Sequence, residues 1–157
     1  MKSSRWLPLA LILLVTFLAA AIGAFATSTS VATWYPTLQK PAWTPPNWLF
    51  GPVWTTLYAL MAIAVWRVWQ AGSPVESRHT FRLYGAQLAL NALWSILFFG
   101  LQRPGAALID SIVLWLILIR LLVYFRNRDR LAALLWSPYV LWVSFATLLN
   151  AAVWEMN

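Results

Sequence analysis

The chain is predicted to be all-α, an integral membrane bundle of five transmembrane helices, and three observations predict it. Hydrophobic residues fill 62% of the 157 positions and charged residues 10%, with a mean hydropathy of +0.70. A soluble domain carries roughly a quarter charged and about half apolar residues, so a water-soluble globular enzyme is excluded. Five apolar stretches each reach the roughly 20 residues that a helix needs to cross a hydrocarbon core about 30 Å thick. Between them stand breakers and charge clusters: Pro45-Pro46, Gly72-Ser73-Pro74, Arg103-Pro104-Gly105 and Arg126-Asn127-Arg128-Asp129-Arg130.

The stretches run at about 6–26, 48–69, 79–101, 105–125 and 131–154. The first, from Trp6 to Ala26, follows the basic start Met1-Lys2-Ser3-Ser4-Arg5 and holds Ala24-Phe25-Ala26, a pattern that signal peptidase accepts. Its apolar run exceeds the roughly 7–15 residues of a signal core, so it is expected to stay as a helix. The second stretch opens behind Pro45-Pro46 and closes at Gly72-Ser73-Pro74. The third begins at His79, the fourth behind Pro104-Gly105 and the fifth after the arginine-rich cluster. The last three connections are short, so the helices they join run antiparallel and pack side by side, giving one domain over residues 1–157.

Charge orients the bundle. Lys2, Arg5, Arg67, Arg78, Arg82, Arg126, Arg128 and Arg130 fall on the N-terminal side, and Lys40 and Arg103 on the other. By the positive-inside rule the N-terminus is cytoplasmic in a bacterial cell membrane. The same rule accounts for the net charge of +7, and no nucleic-acid partner is expected. Arg67 and Arg120 lie near span ends, where they can snorkel to headgroups. Asp110, a turn inside the fourth stretch, is expected to pair with Arg103. His79 reads as a surface residue.

With no cysteine, one histidine and four carboxylates, the chain lacks thiolate chemistry and the ligands of a metal cluster; no metal site is expected. No acid–base pair suited to hydrolysis or group transfer is visible. Proton-coupled transport needs a relay of buried acids, and only Asp110 is available.

The first connection, about 27–47, is the long one. Five of the nine prolines fall between Pro36 and Pro52, interleaved with Trp34, Tyr35, Trp43 and Trp48. Proline fixes φ and removes an N–H, so Lys40-Pro41-Ala42-Trp43-Thr44-Pro45-Pro46 is stiff and non-helical. Tryptophans at this depth also suit an interfacial belt. A belt needs no prolines, and a stiff lid over the bundle mouth is the preferred reading.

Inside the helices, residues four apart share a face. Gln87, Asn91, Trp94 and Phe98 form one stripe; Trp142, Ala146 and Asn150, with Tyr139 nearby and a kink available at Pro138, form a second; Trp54, Tyr58 and Met61 form a third. Amides in a bilayer must face protein or a cavity. They either glue helices together or line a pocket, and the aromatic neighbours favour a pocket for a flat, mostly apolar ligand. Two small-xxx-small pairs, Ala19/Gly23 and Gly85/Ala89, allow close helix approach within the bundle or between copies.

Trp34-Tyr35, Lys40-Pro41-Ala42-Trp43-Thr44-Pro45-Pro46, Pro52-Val53-Trp54 and Leu57-Tyr58 resemble the TspO/MBR family of tryptophan-rich sensory proteins, related to the translocator protein. The likeness continues through Gln87-Leu88, Leu90-Asn91, Trp94-Ser95, Phe98-Phe99, Pro138-Tyr139, Trp142, Phe145-Ala146 and Leu149-Asn150. It implies a five-helix bundle, usually a homodimer, with a ligand pocket closed by the first loop. The implied ligands are porphyrins such as protoporphyrin IX and haem, benzodiazepine and isoquinoline carboxamide drugs, and cholesterol in animal members. No covalently bound cofactor is implied. Trp54 and Trp142 match tryptophans tied to light-dependent porphyrin degradation; Tyr35, Asn91, Ala146 and Asn150 match positions at or near the pocket. The tail after Asn150 lacks the animal Tyr–basic sterol motif, and Leu122-Val123-Tyr124-Phe125-Arg126 fits that pattern only formally, on the fourth helix.

The candidate ligand site is therefore Tyr35, Trp43, Trp54, Tyr58, Gln87, Asn91, Trp94, Phe98, Trp142, Ala146 and Asn150, with Lys40 or Arg103 meeting propionates. Binding or sensing ranks first, photochemistry at Trp54 or Trp142 second, and transport third, because no inverted repeat or broken-helix pair is visible.

Overall fold

A computed structural model describes residues 6–157; the basic start containing Lys2 and Arg5, which enters the orientation argument, lies outside them. Five helices within the described residues are long and apolar enough to cross a membrane, so the chain is an integral membrane protein. They are α1 (Trp6–Ser28), α2 (Asn47–Ala71), α3 (Pro74–Ser95), α4 (Pro104–Arg126) and α5 (Arg130–Met156), with a π-turn at Ile96–Gly100 extending α3 and a 3₁₀ turn at Tyr35–Thr37 in the loop.

Four of the five helices begin and end within two residues of the sequence reading. The third begins five residues earlier than His79. Ser73 and Glu76 form a capping box, with the Ser73 side chain taking the Glu76 amide, the Glu76 side chain taking the Ser73 amide, and Pro74 in the first helical turn. The charges in that turn hide it from a hydropathy reading, while Ser-x-x-Glu is the signal that finds it.

Contacts order the helices as a closed ring: α1 touches α2 and α3, α2 touches α5, α5 touches α4, and α4 touches α3. Single polar bonds pin the pairs within the apolar interior. Thr16 Oγ1 meets Tyr84 Oη at 2.6 Å between α1 and α3. Between α4 and α5, Trp115 Nε1 donates to Ser144 Oγ at 2.7 Å and Trp136 Nε1 to the Leu118 carbonyl at 3.1 Å. Each is worth about 0.6 kcal/mol, up to roughly 1.7, because the unfolded chain in a membrane also finds partners. Ridges of apolar side chains supply the remainder. Trp136, Tyr139, Phe125, Met61 and Leu118 are fully buried in a dense core toward the end where α5 begins. A second cluster, Tyr35, Phe98, Phe99, Ala107, Leu149 and Val153, closes the loop end.

The connection between α4 and α5 turns on Asp129, whose side chain caps α5 by accepting from the amides of Leu131 (2.8 Å) and Ala132 (3.1 Å) and pairs with Arg67 of α2 at 2.8 Å. Burial pushes its carboxyl up, but the Ala132 amide and the Arg67 guanidinium outweigh this and hold it below the usual range. A depressed carboxyl stabilises the fold above its unfolded value of about 3.9 and loses that contribution as pH falls through the lower folded value. Asp129→Ala should thus cost about 1–2 kcal/mol near neutral pH. The gap in thermal unfolding between the two chains should be full at neutral pH and narrow as pH falls below about 3.9.

The small-residue pairs divide. Gly23 is buried against Ser95, where an added Cβ would lie 3.2 Å from the Ser95 hydroxyl oxygen, so Ala19/Gly23 is used inside the bundle. Gly85 and Ala89 face outward.

Candidate functional site

Between the two clusters the ring of helices encloses a cavity of about 510 Å³, walled by all five helices and by the loop. Its size falls in the range of small-molecule sites, about 300–1,000 Å³. The sequence stripes explain where it lies. Trp54 and Tyr58 reach it from α2, Asn91 and Trp94 from α3 with Phe98 from the π-turn, and Trp142, Ala146 and Asn150 from α5. Tyr35 closes it from the loop.

Aromatic rings make the walls. Trp54 lies 5.5 Å from Tyr58 and stands nearly perpendicular to Trp142 at 6.5 Å; Trp94 stacks on Phe98 at 5.0 Å; Phe50 meets Trp142 edge-on at 5.8 Å. These faces offer a flat apolar ligand stacking on more than one side.

The amides divide their work. Tyr58 Oη donates to Asn91 Oδ1 at 2.5 Å, Asn91 Nδ2 to Tyr139 Oη at 3.0 Å, and Tyr139 Oη to Gln87 Oε1 at 2.8 Å. Gln87 Nε2 ends the chain on Met61 Sδ at 3.7 Å. This network ties α2, α3 and α5 beneath the cavity. Asn150 takes the Trp94 indole N–H at 2.9 Å and donates to the Pro104 carbonyl at 2.8 Å, joining α5 to α3 and α4. The amides are glue, and Asn91 and Asn150 also form part of the cavity wall.

Two polar atoms on the wall are different. Trp142 Nε1 and Thr147 Oγ1 are buried and have no partner among the described residues. Serines and threonines elsewhere bond back to the carbonyl four residues earlier, as Ser144 and Ser137 do, and Thr147 does not. A buried donor without an acceptor costs about 1–3 kcal/mol; a ligand acceptor placed between these groups would recover it.

Several sequence expectations require correction. Gln87 is fully buried but lies beneath the cavity, in the network and not on the wall. Trp43 is half-exposed, packs edge-on against Phe145 at 5.7 Å and does not line the cavity. Lys40 Nζ is engaged by the carbonyls of Tyr35 (2.7 Å) and Leu38 (2.9 Å) and sits over the Tyr35 ring, and neither it nor Arg103 lines the cavity. Asp110 forms no pair with Arg103; its carboxylate is buried and both oxygens lack a partner among the described residues. Phe50, Phe99, Ser111 and Thr147 line the cavity without having been singled out. Thr147 had a signal, a hydroxyl next to Ala146 of the α5 stripe, and Phe50 lies one turn before Trp54.

The loop is fastened over this site. Ser30 Oγ donates to the Phe99 carbonyl at 2.7 Å, and the Gln39 backbone exchanges two bonds of 2.9 Å with the Asn157 side chain. Burial pushes the Tyr35 phenol above its ordinary value, as expected for a ring packed between Phe98 and Phe99.

Comparison with known proteins now decides the family. The TspO/MBR family model matches residues 11–155. The chain belongs to the TspO/MBR family. Among its relatives, the tryptophan-rich protein TspO of Archaeoglobus fulgidus is 47% identical over 86% of this chain and 87% of its own. The tryptophan-rich sensory protein of Cereibacter sphaeroides is 40% identical, covering 92% of this chain and 91% of its own. The human translocator protein is 39% identical over 89% and 86% respectively. The TspO/MBR match spans both the loop and the helices that wall the cavity.

Proposed function

We propose that the cavity is the receptor site of a membrane sensor for porphyrins, protoporphyrin IX above all. The observation that carries this reading is the unpartnered Trp142 N–H on an aromatic wall enclosing about 510 Å³. Trp54, Trp94 and Phe98 stack on the macrocycle, and Trp142 and Thr147 address a polar edge. Among the described residues the wall includes no His, Cys or Met, and the chain's one histidine, His79, packs near Tyr124 away from the cavity. Haem would therefore be held by stacking and not by an imidazole or sulfur bond to its iron. In the dark, titration with protoporphyrin IX in detergent should quench tryptophan fluorescence saturably at one site. Absence of saturation would overturn the reading and direct the search to another small apolar ligand, sterols included.

A second reading is light- and oxygen-dependent porphyrin degradation, favoured by the perpendicular Trp54–Trp142 pair at 6.5 Å. Trp142→Phe removes the unpartnered N–H and should weaken binding by about 1–3 kcal/mol, while at saturating porphyrin the absorbance decay on illumination slows several-fold. Unchanged decay in both Trp142→Phe and Trp54→Phe would remove tryptophan from the photochemistry. Transport comes third; the relative named translocator protein keeps it in view.

The membrane orientation we propose places the loop outside and the α2–α3 and α4–α5 connections in the cytoplasm of a bacterial cell. Arg67, Arg78, Arg82, Arg126, Arg128 and Arg130 stand at that end, against Lys40 and Arg103 at the other. A homodimer is the assembly this reading carries.

A further inference from the structure

At the end of the bundle away from the loop, two arginines are neutralised: Arg67 by Asp129, and Arg128 by Glu76. Glu76 is further engaged by the Ser73 amide. Arg78, Arg82 and Arg120 are exposed, and no ion pair reaches them among the described residues.

Register brings Arg82 and Arg120 together. The His79 ring of α3 meets the Tyr124 ring of α4 edge-on at 6.5 Å, which fixes the pairing of these antiparallel helices. Arg82 is three residues beyond His79 and Arg120 four residues before Tyr124, so they lie about 4.5 and 6 Å deeper into the bundle. At about 100° per residue, Arg82 is turned roughly 60° from His79, away from buried Tyr84. Arg120 is turned about 40° from Tyr124, away from buried Leu121 and Phe125. The two side chains therefore leave the α3–α4 seam on its lipid-facing side at nearly one depth, and Arg78 stands one turn above Arg82.

An arginine on a lipid-facing surface is costly unless it reaches negative charge by snorkelling. Three converge here, and the nearest acids are already taken. Phosphate oxygens match the guanidinium fork in pairs. Below the arginines the seam is shallow: Ala86 and Ala89 are small and exposed, and a Cβ added at Gly85 would meet nothing within 4 Å. That leaves room for an acyl chain.

We propose that Arg78, Arg82 and Arg120 form a headgroup site for an anionic phospholipid seated in the α3–α4 seam. With three unpaired cations and no free carboxylate to accept an ammonium, the site selects a net-negative headgroup over a zwitterionic one. The site is independent of what the cavity binds.

The test uses the full chain in detergent, with phosphatidylglycerol or phosphatidylcholine added, read by native mass spectrometry and thermal unfolding. The expected result is retained phosphatidylglycerol and a melting temperature raised by several degrees, with phosphatidylcholine ineffective. Arg82→Gln/Arg120→Gln should cut phosphatidylglycerol occupancy at least fivefold, whereas Arg103→Gln at the opposite end should not. Because both substituted side chains are exposed, the double variant is expected to fold, and an unchanged helical circular dichroism spectrum checks it; should it unfold, Arg78→Gln supplies the same comparison. Equal stabilisation by phosphatidylcholine, full occupancy in the variants, or the same shift from inorganic phosphate alone would overturn the proposal. A shift that follows protein concentration instead of lipid fraction would also overturn it, assigning the patch to contact between copies.

Discussion

Gln87→Leu is expected to destabilise the bundle by about 1–3 kcal/mol while leaving ligand affinity unchanged. Asn91→Leu should cost a similar amount and weaken binding as well. The difference follows from where each amide sits. Gln87 is fully buried, and removing it takes away the acceptor of the Tyr139 hydroxyl in a place with no cavity alongside. Asn91 holds Tyr58 and Tyr139 together, but it and Tyr58 also face the cavity, where water can reach a stranded hydroxyl. The average membrane hydrogen bond of about 0.6 kcal/mol would make both effects small. A linked chain with fully buried members is the case in which the larger values apply. Unfolding in a denaturing detergent, paired with the dark porphyrin titration, separates the two variants. Intact binding in Asn91→Leu would reduce that residue to glue.

Ala146→Phe is expected to lower porphyrin affinity at least about tenfold, or 1.4 kcal/mol, with the melting temperature held or raised. Ala146 is a small residue on the cavity wall one turn after Trp142, so a phenyl ring there projects into open volume. Filling a void normally repays its steric cost, in contrast to enlarging a side chain in a tight core, which costs about 1–3 kcal/mol. Saturable binding with wild-type affinity would show that the ligand occupies a different part of the molecule.

The five spans were legible because a bilayer asks a single question of each segment, namely whether about 20 residues can do without water. The faces bearing Trp54, Asn91, Trp94, Trp142 and Asn150 were legible for a related reason: polar and aromatic side chains at helical spacing need somewhere to go. Helical spacing gives rotation only to within a face. It could not tell the wall from the layer beneath it, so Gln87 was grouped with Asn91. Nor could it show that the Lys40 amine turns back onto its own loop carbonyls. Asp110 was assigned to Arg103 on sequence proximity, but the Asp110 carboxylate is buried while Arg103 lies exposed at the helix cap. The π-turn left no trace, because Ile-Leu-Phe-Phe-Gly suits an α-helix equally well.

That turn has a consequence for insertions and deletions. Its wider winding buries the adjacent rings of Phe98 and Phe99 together, and its carbonyls are out of step with a regular α-helix, Leu101 donating back to Ile96. The Phe99 carbonyl is the one that Ser30 grips. Removing one residue from this stretch would let α3 wind as a plain α-helix. Phe98 and Phe99 would then no longer share the buried side, and the loop would lose its grip on Phe99. Chain length between Ser95 and Leu101 is therefore fixed more tightly than its composition. A swap of one large apolar residue for another is mild there, and a loss of one position unfastens the cover of the cavity.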